Sequence, residues 1–569
     1  MATLAPAHLA AVREAVLAGD IEAAAVALGP ILNGDPANHE ARYWLASAMR
    51  MAGDVAGAAK ALDDARVLHA LAFAQQEGLD VSRARQDGDY AAQAASVFYS
   101  RHQVVVASVL FGMAISAGSV SQQGLLSYGL SLQHQGRAEE SILAFQAALD
   151  LYPSPAVHQF LLYPQLLLED QTRYAEEARR WAALHAPGQA TASFANPPAA
   201  GRKLRVGYVA PSFSTTQVRQ FLAPVLHAHD PNHVEAFLYP ATADTEKNWP
   251  ASISVHPIGH LSDSDAANAI RRDGIDVLAD CWGHSAGSRL SMFALRPAPV
   301  QVAWINFVQT TGLRQIDYVL HADSGGALNL DGLFVEDVWT IGPVFNTFFP
   351  ADGRPAPAPT PALARGQVTF GSFNHPCKLS DETLDAWGRI LRATPTSRLF
   401  LKYRYFADPV LKRVTQARLA SMGVAPERIF FEGETKGAEY LSAFANIDLA
   451  LDTSPAPGST TTLEALSNGV PVLTMSAVPQ TIPGFYARTI VEAAGLPDLV
   501  TDSWDSYVLR AIELASDVHA LDRLRARVRP GFDDGPLRDD ISYTRRLESA
   551  FREMFERARS AGWAQHVAA

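Results

Sequence analysis

Asp452-Thr-Ser-Pro-Ala-Pro-Gly458-Ser459-Thr460-Thr461-Thr462-Leu-Glu464-Ala-Leu-Ser-Asn-Gly469-Val-Pro471 is the stretch on which the reading of this chain turns. The apolar run Ile447 to Leu451 predicts a strand that ends at Asp452. A Gly-containing turn and a hydroxyl-rich helix start follow, and Pro471-Val-Leu-Thr-Met475 predicts the next strand. The start of such a helix carries unpaired N–H groups and the positive end of a dipole, where anionic phosphate settles. The segment therefore reads as a phosphate cradle in the later half of an α/β protein.

Strands and helices alternate on both sides of it. Short apolar runs predict strands at Leu204–Val209, Glu235–Tyr239, Ile275–Ala279, Val300–Trp304, Tyr318–Leu320 and Val338–Ile341. Val218, Phe221, Leu222, Val225 and Leu226 form the inward stripe of the helix after the first of these. A second series follows at Val368–Phe370, Arg398–Lys402, Arg428–Phe431, Leu449–Leu451 and Val472–Thr474. Pro-rich stretches, Pro187 to Gly201 and Pro350 to Pro361, read as linkers. Two parallel-sheet lobes joined in this way place a ligand at the carboxyl ends of their strands.

The first third is Ala-rich, helical in period, and repetitive. Ala18-Gly19-Asp20-Ile21 recurs as Ala52-Gly53-Asp54-Val55, 34 positions later. That is the period of the tetratricopeptide repeat, an array of antiparallel helix pairs with a groove for a partner. Leu125, Gly129, Leu132, Ser141, Phe145, Ala148 and Pro153 fit the repeat spacing, and Gly88 opens another unit, although 95–120 match poorly. An ordinary helical bundle is the alternative. The expected organisation is repeats at 1–153, bridging helices and linker at 154–200, a first lobe at 201–350, a linker at 351–366, a second lobe at 367–530 and a C-terminal helix at 531–569.

Composition narrows the function classes. The 569 residues are 48% hydrophobic and 19% charged, with a net charge of -12, which argues against a nucleic-acid footprint. Cys281 and Cys377 are too few for a disulfide framework or a zinc site. No secretory signal and no long uncharged apolar run are visible, so a cytoplasmic protein without membrane contact is expected.

Together with Arg205-Val-Gly-Tyr-Val-Ala-Pro211, Phe293-Ala-Leu-Arg-Pro-Ala-Pro-Val-Gln-Val-Ala-Trp304, Phe370-Gly-Ser-Phe-Asn374 followed by Lys378, and Gly458-Ser-Thr-Thr-Thr462, the helical repeats resemble the protein O-GlcNAc transferase and SPINDLY O-fucosyltransferase family. The resemblance spans roughly 125–530. It implies a GT-B fold after a tetratricopeptide array, and inverting transfer from a nucleotide sugar to Ser or Thr of a protein held by the repeats, with no cofactor or metal. Lys378 stands where the family keeps a lysine against the donor phosphates, although a lone lysine is more often solvated surface. Gly458, Ser459, Thr460 and Thr461 correspond to the phosphate-facing helix start, or simply cap it. Glu464 matches a ribose-contacting acid, yet Thr461-x-x-Glu464 equally satisfies a capping box. His284, after the strand at 275–279, matches a histidine near the sugar and is the second catalytic candidate. Asn374 and His375 lie in the loop carrying Lys378 and are candidates for touching donor or acceptor. Gln309, Thr310 and Thr311 form the expected sugar wall.

The departures lie around the sugar. Ser212 and Thr216 stand where the family keeps an acid and a histidine, so its usual base is absent. Asn306-Phe-Val-Gln-Thr-Thr-Gly312 lacks the family's Pro-Gly pair, and Ser476 to Pro483 replaces a shorter Gly-containing loop. These changes favour a donor other than UDP-GlcNAc, with a CMP-linked nonulosonic acid of the pseudaminic type and bacterial flagellin as the preferred pair. UDP-GlcNAc or GDP-fucose transfer is the alternative, and a catalytically degenerate repeat scaffold is the alternative of another class.

Overall fold

The computed structural model describes residues 5–186, 194–241, 249–305, 309–350, 353–477 and 481–563. Its first part is a helical array. Helices Ala5–Ala18 and Ile21–Gly34 recur as His39–Met51 and Val55–Gln76, and Gly88–Ser100 and Val104–Ser116 recur as Gln122–Gln133 and Ala138–Leu151. Every one of these starts is displaced by 34 residues from its counterpart. The turn chemistry explains the repeat. Gly19 and Gly53 take positive φ (80° and 85°), closing one helix, and the next residue, Asp20 or Asp54, accepts the first free amides of the following helix. The region 95–120 matches the consensus poorly because Val104–Ser116 is apolar on nearly all sides. It is buried between the array and the second lobe, where Val105 N donates to Asp408 Oδ2 at 2.8 Å.

The first lobe has strands β1 (Leu204–Ala210), β2 (Val234–Pro240), β3 (Ile253–Val255), β4 (Val277–Asp280), β5 (Val300–Ala303), β6 (Tyr318–Ala322) and β7 (Asp337–Gly342). They form one parallel sheet in the order β3-β2-β1-β4-β5-β6-β7. The second lobe has β8 (Thr369–Ser372), β9 (Arg398–Lys402), β10 (Ile429–Glu432), β11 (Leu449–Leu451), β12 (Val472–Met475) and β13 (Val500–Thr501), ordered β10-β9-β8-β11-β12-β13 and again parallel. In each sheet the strand order reverses once, between β1 and β4 and between β8 and β11. Ligands of such sheets bind outside these switch points.

Two expectations change in detail. The stripe after β1 is buried as expected but belongs to two short helices, Thr216–Phe221 and Ala223–Ala228, because Pro224 interrupts the first. The C-terminal helix runs Asp540–Ser560, started by the Asp539 cap, and lies on the first lobe. There Trp304 Nε1 donates to Tyr543 Oη at 3.0 Å, and Glu548 meets His229 at 2.9 Å. Finally, the array is bound to the second lobe through helix Pro409–Ala420: Arg413 forks onto Glu40 at 2.7 and 2.9 Å, and Ser47 Oγ donates to the Ala417 carbonyl at 3.0 Å. Among the described residues no helix is long and apolar enough to cross a membrane.

An imidazole pair occupies this seam. Cys377 N donates to His375 Nδ1 at 3.0 Å, so His375 Nε2 carries the proton and donates to His134 Nδ1 at 3.1 Å. Burial pushes His134 down to about 3 and His375 well below the usual range. Both folded values lie below the unfolded one near 6.5, so the unfolded chain takes up protons that the folded chain refuses, and stability is lost as pH falls through that window. The melting midpoint of His134→Phe, which keeps the ring stacked on Tyr405 at 4.3 Å, should fall less between pH 6.5 and 4 than that of the wild type. Parallel pH–melting curves would contradict the assignment.

Candidate functional site

The loops after β8 and β11, at the switch point of the second sheet, build the site. Its post is Asp452, buried at the end of β11. Its Oδ1 accepts from Gly458 N (2.6 Å), Thr453 N (2.9 Å) and Asn374 Nδ2 (2.9 Å), while Oδ2 accepts from Thr474 Oγ1 (3.0 Å). Burial raises the Asp452 pKa, and these donors together with Lys378 oppose the rise. The turn thus closes back on its own first residue. Gly458 is required by close approach: a Cβ there would stand 2.3 Å from Thr462 Oγ1 and 2.9 Å from Asn374 Oδ1.

Lys378 ends a single 3-10 turn, Pro376–Lys378, that leaves the β8 loop toward the same place. Its Nζ donates to the Pro457 carbonyl at 2.6 Å, beside Gly458. Burial pulls its pKa down, while Cys377 and Asp452 hold it up. The neighbouring helix, Thr460–Ser467, begins at Ser459 with no side-chain cap, because the Ser459 hydroxyl donates instead to Tyr486 Oη at 3.3 Å. A cation and an uncapped helix start therefore meet at one turn, which is the donor set a phosphate requires.

The other expected residues divide. Asn374 is a brace: its amide holds Asp452 and Thr453, and its carbonyl accepts the Thr461 hydroxyl. His375 has both ring nitrogens engaged at the array seam, accepting from Cys377 N and donating to His134. The capping box does not form. The helix starts two residues earlier than that motif needs, and Glu464 turns to Tyr440 Oη (2.6 Å) and to the Gln220 side chain of the first lobe. Burial raises the Glu464 pKa.

On the first lobe, His284 follows β4 at its switch point and is 5% exposed. Its Nε2–H donates to the Thr311 carbonyl at 2.8 Å, and its buried Nδ1 has no hydrogen-bond partner among the described residues. Burial pushes its pKa down to about 4, so near neutrality Nδ1 presents a lone pair. Gln309 is buried beside Pro455 and Thr481 of the second lobe and Gln165 and Gln171 of the bridging helices. The Thr310 and Thr311 hydroxyls do not face a ligand, as both donate to the buried carboxylate of Glu336. Glu336 was not foreseen, since a lone acid ahead of a strand carries no spacing signal. Ser212 pairs with Ser214 at 2.9 Å. The Thr216 side chain, Asn306 to Val308 and Val478 to Gln480 lie outside the described residues. Among those described, no group of three or more His, Cys, Asp or Glu side chains is placed to hold a metal.

Two parallel-sheet lobes with a phosphate-type cradle at the second switch point define a GT-B glycosyltransferase architecture. The chain belongs to glycosyl transferase family 41, whose family model matches residues 140–354 and 360–547. It is 34% identical over 378 residues to a probable UDP-N-acetylglucosamine–peptide N-acetylglucosaminyltransferase SPINDLY of Hordeum vulgare, covering 64% of this chain and 39% of that protein. A protein of Arabidopsis thaliana with the same description, SEC, is 26% identical over 382 residues. The chain spans about two fifths of the length of these curated relatives. A solved mutant O-GlcNAc transferase of Thermobaculum terrenum is 28% identical, with a TM-score of 0.73 over 98% of both chains. The array and both lobes are therefore shared with that structure.

Lys378→Ala should lower turnover of a bound nucleotide sugar about 10²–10³-fold, the usual loss when a donor to developing charge is removed, while the melting midpoint stays near the wild-type value. Gly458→Ala should weaken nucleotide binding, because its Cβ would push Thr462 and Asn374 out of the cradle. Sugar-transfer rates and melting curves check the first, and calorimetric titration with UDP and GDP checks the second.

Proposed function

We propose that this chain is an inverting protein O-glycosyltransferase that moves a sugar from a nucleotide donor to a Ser or Thr hydroxyl. The observation that carries the reading is Lys378 Nζ at the Pro457–Gly458 turn, beside an uncapped helix start. The acceptor oxygen attacks the anomeric carbon on the face opposite the nucleotide, and the bond from that carbon to the phosphate oxygen breaks. Lys378 and the amides of the first helical turn stabilise the charge that collects on the departing phosphate. A histidine held as low as about 4 is a weak base, so His284 Nδ1 serves as a hydrogen-bond acceptor that orients a substrate hydroxyl, and the proton leaves to a donor phosphate oxygen. Positioning and electrostatics supply the acceleration.

A protein acceptor is supported by the space beside this turn. A cavity of about 520 Å³ between the array and the second lobe reaches Lys378 and Ala456 at one end. Through Asp63, Arg66, Arg137 and Glu140 it adjoins a groove of about 720 Å³ in the array. An extended polypeptide fits such a path better than a small molecule does.

For the donor, the wall around Gln309 bears on the charge of the sugar. The described residues that line the small cavity at Gln309 include Glu169 and neither lysine nor arginine, and Asn306 to Val308 and Val478 to Gln480 bring no cation in sequence. A nonulosonic carboxylate would meet no counter-charge there. A neutral sugar, as in the UDP-N-acetylglucosamine of the relatives' descriptions, is the better fit, with the CMP-nonulosonate and flagellin pair as the competing arm. Purified protein is incubated with UDP-GlcNAc, GDP-fucose and CMP-pseudaminic acid, each with a Ser/Thr peptide library and with flagellin, and acceptor mass and nucleotide release are measured. Transfer of a neutral sugar is expected. Transfer from the CMP donor alone would overturn the donor reading. Nucleotide-dependent stabilisation with no transfer from any donor would favour the scaffold reading.

A further inference from the structure

We propose that Glu336 is a positioning residue for the reaction: through the Thr310–Thr311 loop it fixes the carbonyl that holds His284 in a single tautomer with Nδ1 bare. The catalytic part of this inference rests on the function proposed above; the geometric part stands on the contacts themselves.

Glu336 is 5% exposed, just before β7. Its Oε1 accepts the Thr311 amide at 2.7 Å and the Thr311 hydroxyl; its Oε2 accepts the Thr310 hydroxyl at 2.6 Å and the Val335 amide at 3.2 Å. A carboxylate offers about four acceptor sites, so Glu336 is saturated within the chain and has none left for a substrate. The threonine hydroxyls are equally committed, Thr310 Oγ1 accepting from Gly312 N (3.0 Å) and Thr311 Oγ1 from Leu313 N (3.2 Å). A loop tied at this many points has one conformation, and its Thr311 carbonyl takes the His284 Nε2–H.

Two further contacts close the arrangement. Gly312 has φ +76°, and a Cβ there would sit 2.2 Å from the Ala178 carbonyl, so the loop lies directly on helix Gln171–His185. Trp181 of that helix meets the His284 ring edge-to-face at 4.9 Å. His284 is thereby fixed in rotation by Trp181 and in tautomer by Thr311. Its buried Nδ1 has no hydrogen-bond partner among the described residues, which is the expected state of an atom reserved for a substrate hydroxyl. A buried carboxylate that only filled space would be costly compared with an apolar side chain. Glu336 instead does what an apolar residue cannot, which is to collect the Thr311 amide and two hydroxyls on one group.

In Glu336→Gln an amide NH2 replaces one acceptor oxygen and opposes donors that are already committed. The expected result is a fall in kcat of about 10²-fold with nucleotide affinity within about twofold, since the nucleotide cradle lies on the other lobe. His284→Ala should show a comparable fall, and the double variant should be no slower than His284→Ala alone, because both act through one atom. Wild-type turnover in Glu336→Gln, or losses that multiply in the double variant, would overturn the proposal. Spectra of nitrogen-labelled histidine, assigned by comparison with His284→Ala, read the geometry without activity. His284 should be a pure Nε2–H tautomer in the wild type and a mixture in Glu336→Gln, and an unchanged His284 signal would overturn it. If no donor is turned over, the function reading fails while this spectrum still decides the positioning claim. Should Glu336→Gln not fold, Thr311→Val, which removes one donor to Glu336 and keeps the backbone, replaces it in every arm.

Discussion

The whole second-lobe site depends on the buried carboxylate of Asp452. It stands at the end of β11, next to the switch point, and collects the amides of Thr453 and Gly458, the Asn374 side chain and the Thr474 hydroxyl. A charge in that position is stable only with several donors around it, and those donors belong to three separate segments. Their convergence folds the turn so tightly that the Pro457 carbonyl meets Lys378 and the next helix begins without a cap. The meeting of a cation and an uncapped helix start is thus a consequence of how one carboxylate is neutralised.

The first lobe answers with the same device. Glu336 collects a loop much as Asp452 collects a turn, each by gathering amides and hydroxyls on one buried carboxylate. The two halves are also bound through the helices. Gln171, at the start of the helix behind His284, accepts the Ile482 amide of the second lobe at 2.8 Å. Tyr486, which accepts from Ser459, donates to Asn346 between the lobes at 2.9 Å. The bridging helices are therefore part of the frame that sets the distance between the halves.

Much of this was legible in the sequence, and the failures have physical causes. Central strands were readable because runs such as Leu204–Ala210 and Val472–Met475 are buried on both faces. The edge strands β3 and β13, three and two residues long, carry too little pattern to register. Lys378 and the 458–461 turn, which the structure brings together, could be singled out because their chemistry is local to short motifs. Glu464 was ambiguous because a capping box and a hydroxyl-binding acid look alike until the helix start is known. His375 sits three residues from Lys378 and pairs with His134, 241 positions away, a contact that no local motif announces. Glu336 acts across 25 positions, and a lone acid gives no spacing to read.

The central claim is that Lys378 and the first helical turn after Gly458 grip the phosphate of an activated sugar between the two lobes. A crystal structure of the protein with UDP tests it most directly. The account predicts phosphate oxygens at hydrogen-bond distance, ~3 Å, from Lys378 Nζ and from the amides of Thr460 and Thr461, with Lys378 released from the Pro457 carbonyl. A nucleotide bound elsewhere, or one whose phosphates leave Lys378 on that carbonyl, would contradict it.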